Sequence, residues 1–231
     1  MLDVGCGNGD LSLAAASAVG ETGSVLGVDL SPAMLAVAQE RADAAGLTNA
    51  AFEPADAASF RPDGAGFDVV VSRFGVMFFE DPTAAFAHIR SLMAPSGRLV
   101  FVCWQELFAN EWMIVPGAAV AEVLPLPVGD DPTAPGAFAF ADPHRITGIL
   151  AAAGFSEPAT APAAAKLWMG DDATDAAHFM RTTGIGRAVF ADAPLDLAEE
   201  ATARATASLV PFESPAGVLI GGAAWLVTAS A

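Results

Sequence analysis

The stretch Leu2-Asp3-Val4-Gly5-Cys6-Gly7-Asn8-Gly9 decides the fold of this chain. A short segment of strand character runs directly into a glycine-rich loop, and residues 11–19 then have helical composition. Glycines allow positive φ and a close approach of a ligand to the backbone, and the next helix offers unpaired N–H groups in its first turn. A strand, a glycine loop and a helix in this order predict a ligand-binding turn at the edge of an α/β sheet.

Strands and helices continue to alternate outward from this loop as far as Trp104. A second strand at 24–28 ends in Asp29, and Ser31-Pro32 opens a helix that reaches Ala45 and is capped by Gly46. Further strands are predicted at 50–53, 67–72 and 98–104, with a helix at 82–93 and a turn at Pro95-Ser96-Gly97. This alternation predicts an α/β fold with a mostly parallel sheet covered by helices on both faces.

The alternation stops after Trp104. Residues 105–141 are rich in proline and glycine, which discourages regular structure, so we predict a long loop of the lid or insertion type. Beyond it the pattern predicts helices at 142–153, 174–190 and 195–209 and strands at 163–169 and 223–228. We therefore predict a single domain over 1–231 with substrate-side insertions at 105–141 and 170–209.

The composition excludes several classes of partner. The chain has 231 residues, 10 Lys and Arg, 27 Asp and Glu, and a formal net charge of -17, which would repel nucleic-acid phosphates and anionic lipids. The apolar stretch at 216–229 is shorter than the roughly 20 residues that span a bilayer, so it is predicted as a core strand. The N-terminus lacks a secretory signal, and two cysteines fit a reducing, cytoplasmic setting. We expect a partner that is neither a nucleic acid nor a membrane.

The spacing of the glycines argues against a dinucleotide cofactor. A dinucleotide-binding loop reads G-x-G-x-x-G and needs glycine at position 10. This chain has Asp10 there, and its charge would lie near a pyrophosphate. The glycine spacing therefore disfavours an NAD-dependent oxidoreductase.

Two motifs together resemble the class I S-adenosylmethionine (SAM)-dependent methyltransferases. They are the glycine loop at 2–9 and the segment Val28-Asp29-Leu30-Ser31-Pro32-Ala33-Met34, and residues 67–74 and 92–99 resemble the family's fourth-strand and fifth-strand motifs. The resemblance covers 1–104 and is nearest to the small-molecule branch similar to the ubiquinone/menaquinone-biosynthesis methyltransferases. It implies a Rossmann-like sheet of seven strands in the order 3-2-1-4-5-7-6, with SAM as cofactor.

The resemblance also implies where SAM binds. It places Gly5 and Gly7 under the methionine moiety, and it includes Cys6, which lies between them, among the cofactor-binding residues. The carboxylate of Asp3 would reach the methionine ammonium directly or through water. Asp29 would accept hydrogen bonds from the ribose hydroxyls; its alternative role is a helix N-cap, which Ser31 fills better.

Further positions are implied for the adenine and for the ammonium. Asp56 would meet the adenine amino group and the N–H of Ala57 a ring nitrogen, although Asp56 at this place could instead cap a helical turn. Leu30 and Met34 would pack on the adenine face, with ordinary core packing as the alternative for Met34. The backbone carbonyl of Ser72 would accept from the methionine ammonium.

Methyl transfer requires alignment more than a dedicated catalytic group, because it is an in-line displacement at a sulfonium carbon. We assign no catalytic residue, and we expect His88, His144 and His178 to be structural. Arg73, Phe74 and Trp104 are expected to face the substrate, with core packing as the alternative for the two rings. No Cys/His spacing indicates a metal site.

The start of the chain leaves two alternatives open. Members of the family usually carry several tens of residues before the first strand, whereas this chain begins inside that strand. Either the true start lies upstream, or the N-terminal cover is lacking, which would favour a noncatalytic interaction protein of the same fold. The sequence favours methyl transfer to a small-molecule acceptor, ahead of the noncatalytic protein and the oxidoreductase. It leaves the acceptor and the oligomeric state unassigned.

Overall fold

A computed structural model describes residues 1–62, 66–126 and 131–231. The part of the predicted insertion at 127–130 lies outside the described residues. Contacts divide the chain into two compact units. The first unit comprises Met1–Trp104, Thr133–Pro162 and Ala224–Ala231, and the second unit comprises Gln105–Pro132 and Ala163–Ala223.

The elements up to Trp104 follow the predicted alternation. They are β1 (Leu2–Val4), α1 (Asp10–Val19), β2 (Val25–Asp29), α2 (Pro32–Ala44), β3 (Ala50–Pro54), β4 (Phe67–Arg73), α3 (Pro82–Ser91) and β5 (Met93–Trp104). The remaining elements are α4 (Glu111–Ala121), α5 (Pro143–Ala152), β6 (Ser156–Gly170), α6 (Ala173–Thr182), α7 (Gly184–Phe190), α8 (Leu195–Leu209), β7 (Glu213–Ser214) and β8 (Gly217–Ser230).

The strands form one sheet in the order β3-β2-β1-β4-β5-β8-β6, with β7 paired to β8. Strands β1 to β5 pair in parallel, whereas β8 runs antiparallel to β5. The predicted order is confirmed, because the long C-terminal strand lies between the fifth and sixth strands. The two-residue strand β7 was not predicted.

Local signals account for the helix boundaries near the glycine loop. The side chain of Ser31 accepts a hydrogen bond from the N–H of Met34 and caps α2, and proline occupies its first turn. Gly46 follows with φ of 67°, the left-handed conformation in which glycine ends helices. These features confirm the predicted start and end of the second helix.

Each unit has its own apolar core. The first core holds large side chains from β5, α3 and the segment before α5, among them Phe86, Phe101 and Phe140, all at most 2% exposed. The second core holds alanines of α6 and α8 beside larger side chains, among them Leu209 and Ile220, which are fully buried. Alanine therefore permits close helix packing in the second unit, where it supplies most of the buried helix positions.

The prediction that 105–141 lacks regular structure is wrong over α4. This helix contains Pro116, which removes one backbone hydrogen bond. Its apolar residues, including Val120 and Trp112, pack into the second core. Burial of this face outweighs the proline, since packing supplies most of a helix's stability in proteins.

Several other boundaries differ from prediction. The turn expected at 95–97 lies inside β5, which begins at Met93, and β6 and β8 are longer than the predicted strands. The helix expected at 174–190 is divided at Thr183, whose hydroxyl accepts from the N–H of Gly186 and caps α7. The apolar stretch at 216–229 forms β8, as predicted, and no helix in the described ranges is long and apolar enough to cross a membrane.

Candidate functional site

The glycine loop joins β1 to α1 through three residues in the left-handed region. Gly5, Gly7 and Gly9 have φ of 67°, 55° and 85°. The N–H groups of Gly5 and Cys6 both donate to the carbonyl of Val28, at 2.9 and 3.0 Å. The loop is therefore fixed against the end of β2 in a conformation that favours glycine at each of the three positions.

The loop after β1 lies in close contact with the loop after β4. A Cβ on Gly5 would lie 2.8 Å from Cα of Gly75, and a Cβ on Gly75 would lie 2.6 Å from the carbonyl oxygen of Val4. Neither contact leaves room for a methyl group, since both partners are backbone. Sequence reasoning missed the role of Gly75, whose φ is not positive and whose position in the motif gives no sign of this contact.

A cavity of about 230 Å³ opens above the glycine loop. Six of the residues predicted to bind cofactor or substrate line it: Asp3, Gly5, Cys6, Gly7, Met34 and Arg73. All six belong to the first unit. The fold thus brings together Asp3 and the loop residues predicted for the methionine moiety, whereas Ser72 is not among the described lining residues.

Asp3 is buried at the wall of this cavity. Its Oδ2 accepts a hydrogen bond of 2.6 Å from the hydroxyl of Ser12, and both residues are 0% exposed. Its Oδ1 has no hydrogen-bond partner among the residues that the structure describes. Burial raises the pKa of Asp3 to about 6, against the opposing effects of the Ser12 hydrogen bond and the charge of Arg73. An unpaired, desolvated carboxylate oxygen is stabilised by a cation that enters the cavity.

Asp29 links the glycine loop to the start of α2. Its Oδ2 accepts from the N–H of Gly7 and its Oδ1 from the N–H of Ser31, each at 2.9 Å. A carboxylate has about four acceptor positions, so each oxygen can accept a further hydrogen bond. Ser31, not Asp29, caps α2, as the sequence indicated.

The residues predicted for adenine lie outside the first core. Leu30 is 75% exposed and Met34 45% exposed, so core packing does not account for Met34. Asp56 accepts from the N–H of Ala58 at 2.9 Å and caps the turn that follows β3, which was the alternative considered for it. Ala57, half-buried, packs against the first core.

The end of β4 carries Ser72, Arg73 and Phe74. The buried hydroxyl of Ser72 donates to the carbonyl of Val4 at 2.7 Å and accepts from the N–H of Gly75 at 3.2 Å. Phe74 has φ of 65°, and its ring stacks on that of Trp104 with centroids 3.9 Å apart and planes inclined by 14°. Both rings are half-buried and pack against the first core, so each retains an accessible part.

Asp10 is held between two arginines. Its carboxylate lies 2.6 Å from the guanidinium of Arg41 and 2.8 Å from that of Arg73, and Arg41 also donates to the carbonyl of Asn8 at 2.8 Å. The hydrogen bond from Arg73 is the main cause of the lowered pKa of Asp10. Because the charge of Asp10 is compensated, the argument against a dinucleotide rests on the glycine spacing alone. Sequence reasoning missed both ion pairs, since nothing in the sequence relates α2 or β4 to the first turn of α1.

The three histidines and Cys103 are not among the described residues that line this cavity, whereas Cys6 lines it. The ring nitrogen Nε2 of His88 lies 2.6 Å from the carbonyl oxygen of Phe60, a structural contact as expected. His144 lies in the first turn of α5 and His178 in α6. The described ranges contain no group of three or more His, Cys, Asp or Glu side chains that could hold a metal ion.

Comparison with known proteins identifies the family. A family model described as a methyltransferase domain matches residues 1–97. Demethylmenaquinone methyltransferase of Shouchella clausii (strain KSM-K16) is 39% identical over 99 residues, which span 43% of this chain and 42% of that protein. The chain thus matches less than half of that relative's length. The protein of the same name from Thermus thermophilus is 34% identical over 165 residues, or 68% of this chain and 74% of the relative.

The fold has counterparts among solved structures. The YcgJ protein of Bacillus subtilis aligns with 99% of this chain and 90% of its own, with a TM-score of 0.62 and 17% sequence identity. That likeness supports the Rossmann-like sheet, and the Thermus thermophilus relative supports the family through sequence. The chain belongs to the S-adenosylmethionine-dependent methyltransferases.

Proposed function

We propose that this chain transfers the methyl group of SAM to a small, apolar acceptor of the quinone type. The observation that carries the proposal is the buried carboxylate of Asp3, a residue that has an unpaired oxygen and lines a cavity floored by the glycine loop. A carboxylate of this kind favours a cationic ligand over an anionic one. SAM carries two positive groups, its ammonium and its sulfonium.

The residues of the site fit the parts of SAM. Asp3 would hold the ammonium together with the backbone carbonyl of Ser72, and Gly5, Cys6 and Gly7 would lie under the methionine chain. Asp29 has acceptor positions left for the ribose hydroxyls. Leu30 and Met34 are exposed side chains that could cover the adenine, and Asp56 and the N–H of Ala57 would meet its polar edge.

When bound, SAM supplies an electrophilic methyl group on sulfur. The chain then has to place the acceptor's nucleophilic atom in line with that methyl and keep water away. The stacked rings of Phe74 and Trp104 offer an apolar surface at the carboxyl ends of β4 and β5, beside the cavity wall formed by Arg73. A planar, apolar acceptor suits such a surface, and the names of the two demethylmenaquinone methyltransferases support a quinone.

Calorimetric titration tests the cofactor. The purified chain is titrated with SAM, with S-adenosylhomocysteine and with NAD. We expect the two sulfur nucleotides to bind and NAD to give no heat of binding. Binding of NAD with comparable affinity, or no heat of binding with either sulfur nucleotide, would contradict the proposal.

Transfer of a labelled methyl group tests the acceptor. With methyl-labelled SAM and a panel of hydroxylated quinones, we expect label in the quinone fraction. Phe74→Ala and Trp104→Ala should each raise the acceptor KM, whereas Phe78→Ala serves as the control, since Phe78 is an exposed ring of the same segment. Saturable SAM binding without label in any acceptor would favour the noncatalytic protein, and unchanged kinetics in both ring variants would remove them from the acceptor site.

A further inference from the structure

Asp10, Arg41 and Arg73 form an ion cluster at the first turn of α1, which we call the Asp10 cluster. The cluster contains two guanidinium groups and one carboxylate, so the three side chains together carry a net charge of +1. The chain as a whole carries a formal charge of -17 and only 10 Lys and Arg residues. A guanidinium on a cavity wall is therefore unusual in this molecule and is suited to an anionic group of a ligand.

The two arginines of the cluster differ in position. Arg73 lines the cavity, whereas Arg41 is not among the described lining residues and donates instead to the carbonyl of Asn8. The ion pair of Arg73 is made by Nη2, and a guanidinium carries five N–H donors. Its side chain is 50% exposed, and an exposed ion pair contributes little by itself. Arg73 can therefore bind a second anion without losing Asp10.

Asp3 and Arg73 present opposite charges to the same cavity. The charge of Arg73 lowers the pKa of the Asp3 carboxyl, although burial raises this pKa by more. An α-amino acid group has an ammonium and a carboxylate on one carbon atom. Asp10, the other carboxylate of the lining, is already paired with two arginines, so Asp3 and the remaining donors of Arg73 are complementary to such a pair of charges.

We propose that Arg73 binds the carboxylate of the methionine moiety of SAM, while Asp3 binds its ammonium. This inference rests on the proposed function and assigns Arg73 to the cofactor, not to the acceptor as the sequence suggested. The Asp10 cluster then has two roles. Asp10 orients Arg73 across the glycine loop, and Arg73 together with Asp3 makes the site selective for nucleosides that carry a complete amino acid.

The test compares two ligands that differ only in the amino acid part. S-adenosylhomocysteine carries the ammonium and the carboxylate, and 5′-methylthioadenosine lacks both. Affinities are measured by calorimetry for the unaltered chain, for Arg73→Met and for Arg41→Met. The second variant is the matched control, because it removes the same charge and an ion pair to the same carboxylate outside the cavity lining.

We expect Arg73→Met to weaken S-adenosylhomocysteine about ten- to a hundredfold, the range for a lost charge-assisted hydrogen bond. Its affinity for 5′-methylthioadenosine should not change, which also shows that the site is folded. Arg41→Met should preserve the ratio of the two affinities. Arg73→Lys should recover part of the loss, since lysine keeps the charge but not the guanidinium fork.

Three results would overturn the inference. One is an unchanged ratio of affinities in Arg73→Met, and another is an equal loss of ratio in Arg41→Met, which would indicate long-range charge alone. The third is a parallel loss of both ligands in Arg73→Met, which would assign Arg73 to loop structure. Failure of the unaltered chain to bind either ligand would instead refute the proposed function from which the inference starts.

Discussion

At the scale of single residues, environment determines what Asp3 can do. An aspartate is ordinarily ionised at pH 5, but burial raises the pKa of Asp3 to about 6. The hydroxyl of Ser12 donates to one carboxylate oxygen, and the other oxygen has no hydrogen-bond partner among the described residues. The resemblance predicted a role for Asp3 but gave no sign of Ser12, because that contact depends on how α1 packs against β1.

The affinity for SAM should rise with pH through about 6. Below this pKa Asp3 is protonated and neutral, and above it the carboxylate attracts the ammonium. Binding of a cation favours the ionised form, so it lowers the pKa of Asp3 and releases a proton in this window. The affinity should fall by up to about tenfold for each pH unit below 6.

Calorimetry between pH 5 and 8 in two buffers of different ionisation enthalpy measures both the affinity and the proton release. The control ligand is 5′-methylthioadenosine, which has no ammonium and should bind with little pH dependence. Asp3→Asn should bind SAM weakly and without this pH dependence. The same pH profile in Asp3→Asn would show that another group titrates.

Asp29→Ala should weaken SAM binding by about 1.5 to 3 kcal/mol, the range for hydrogen bonds to a charged group. The loss combines the ribose contacts with the brace that Asp29 gives to Gly7 and Ser31. Ser31→Ala is the control for the brace at α2. It should lower the free energy of unfolding by about 1 kcal/mol, as for a lost helix cap, and leave the SAM affinity nearly unchanged. An unaltered affinity in Asp29→Ala would exclude the ribose role.

At the scale of elements, local signals made the first 104 residues predictable. The start of α2 is marked by Ser31 and the proline that follows it, and the end of α2 is marked by Gly46. The strands up to β5 were predicted to within a few residues, except that β5 starts earlier than predicted. Helix α4 was missed because its proline is a local signal against helix, whereas the packing that stabilises it joins residues far apart in sequence. Long-range packing of this kind leaves no pattern in a short window.

Gly75→Ala should destabilise the first unit although its backbone conformation suits any residue. The added methyl would meet the carbonyl of Val4 and the Cα of Gly5, and overpacking against backbone typically lowers the free energy of unfolding by about 1–3 kcal/mol. Urea unfolding measures this loss, and SAM affinity should decline with it, because the glycine loop must shift.

The matched control is Gly148→Ala. This glycine lies in α5 with nothing within 4 Å of an added Cβ. Alanine there should raise the free energy of unfolding by up to about 1 kcal/mol through helix propensity. An unchanged free energy of unfolding in Gly75→Ala would contradict the prediction. It would mean that the loops after β1 and β4 can separate without loss of stability.

At the scale of the whole molecule, the residues that line the cavity all belong to the first unit. The chain leaves this unit after Trp104, returns at Thr133, leaves again after Pro162 and returns at Ala224. These passages between units are not marked by loops alone, because β6 and β8 each continue across one unit boundary. The sheet order was accessible from sequence through resemblance, whereas the division into units depends on contacts between distant segments.

Ligand binding should therefore protect amides of the first unit most strongly against hydrogen exchange. S-adenosylhomocysteine at a hundred times its Kd should stabilise the native state by about 2.7 kcal/mol. Hydrogen exchange should show the gain at amides of the glycine loop and β1, with NAD at equal concentration as the control. Protection limited to amides of the second unit would place the ligand elsewhere.

The two cysteines have a practical consequence. Both are free and buried, and burial is the main cause that raises each thiol pKa to about 12. Alkylating dyes react with thiolates, so the folded protein should remain unlabelled at neutral pH. A cysteine introduced by Phe108→Cys or Leu195→Cys, at positions 84% and 75% exposed, would then be the one that takes up a fluorophore. The native chain can serve directly as the parent for distance measurements by spectroscopy, with its own cysteines left in place.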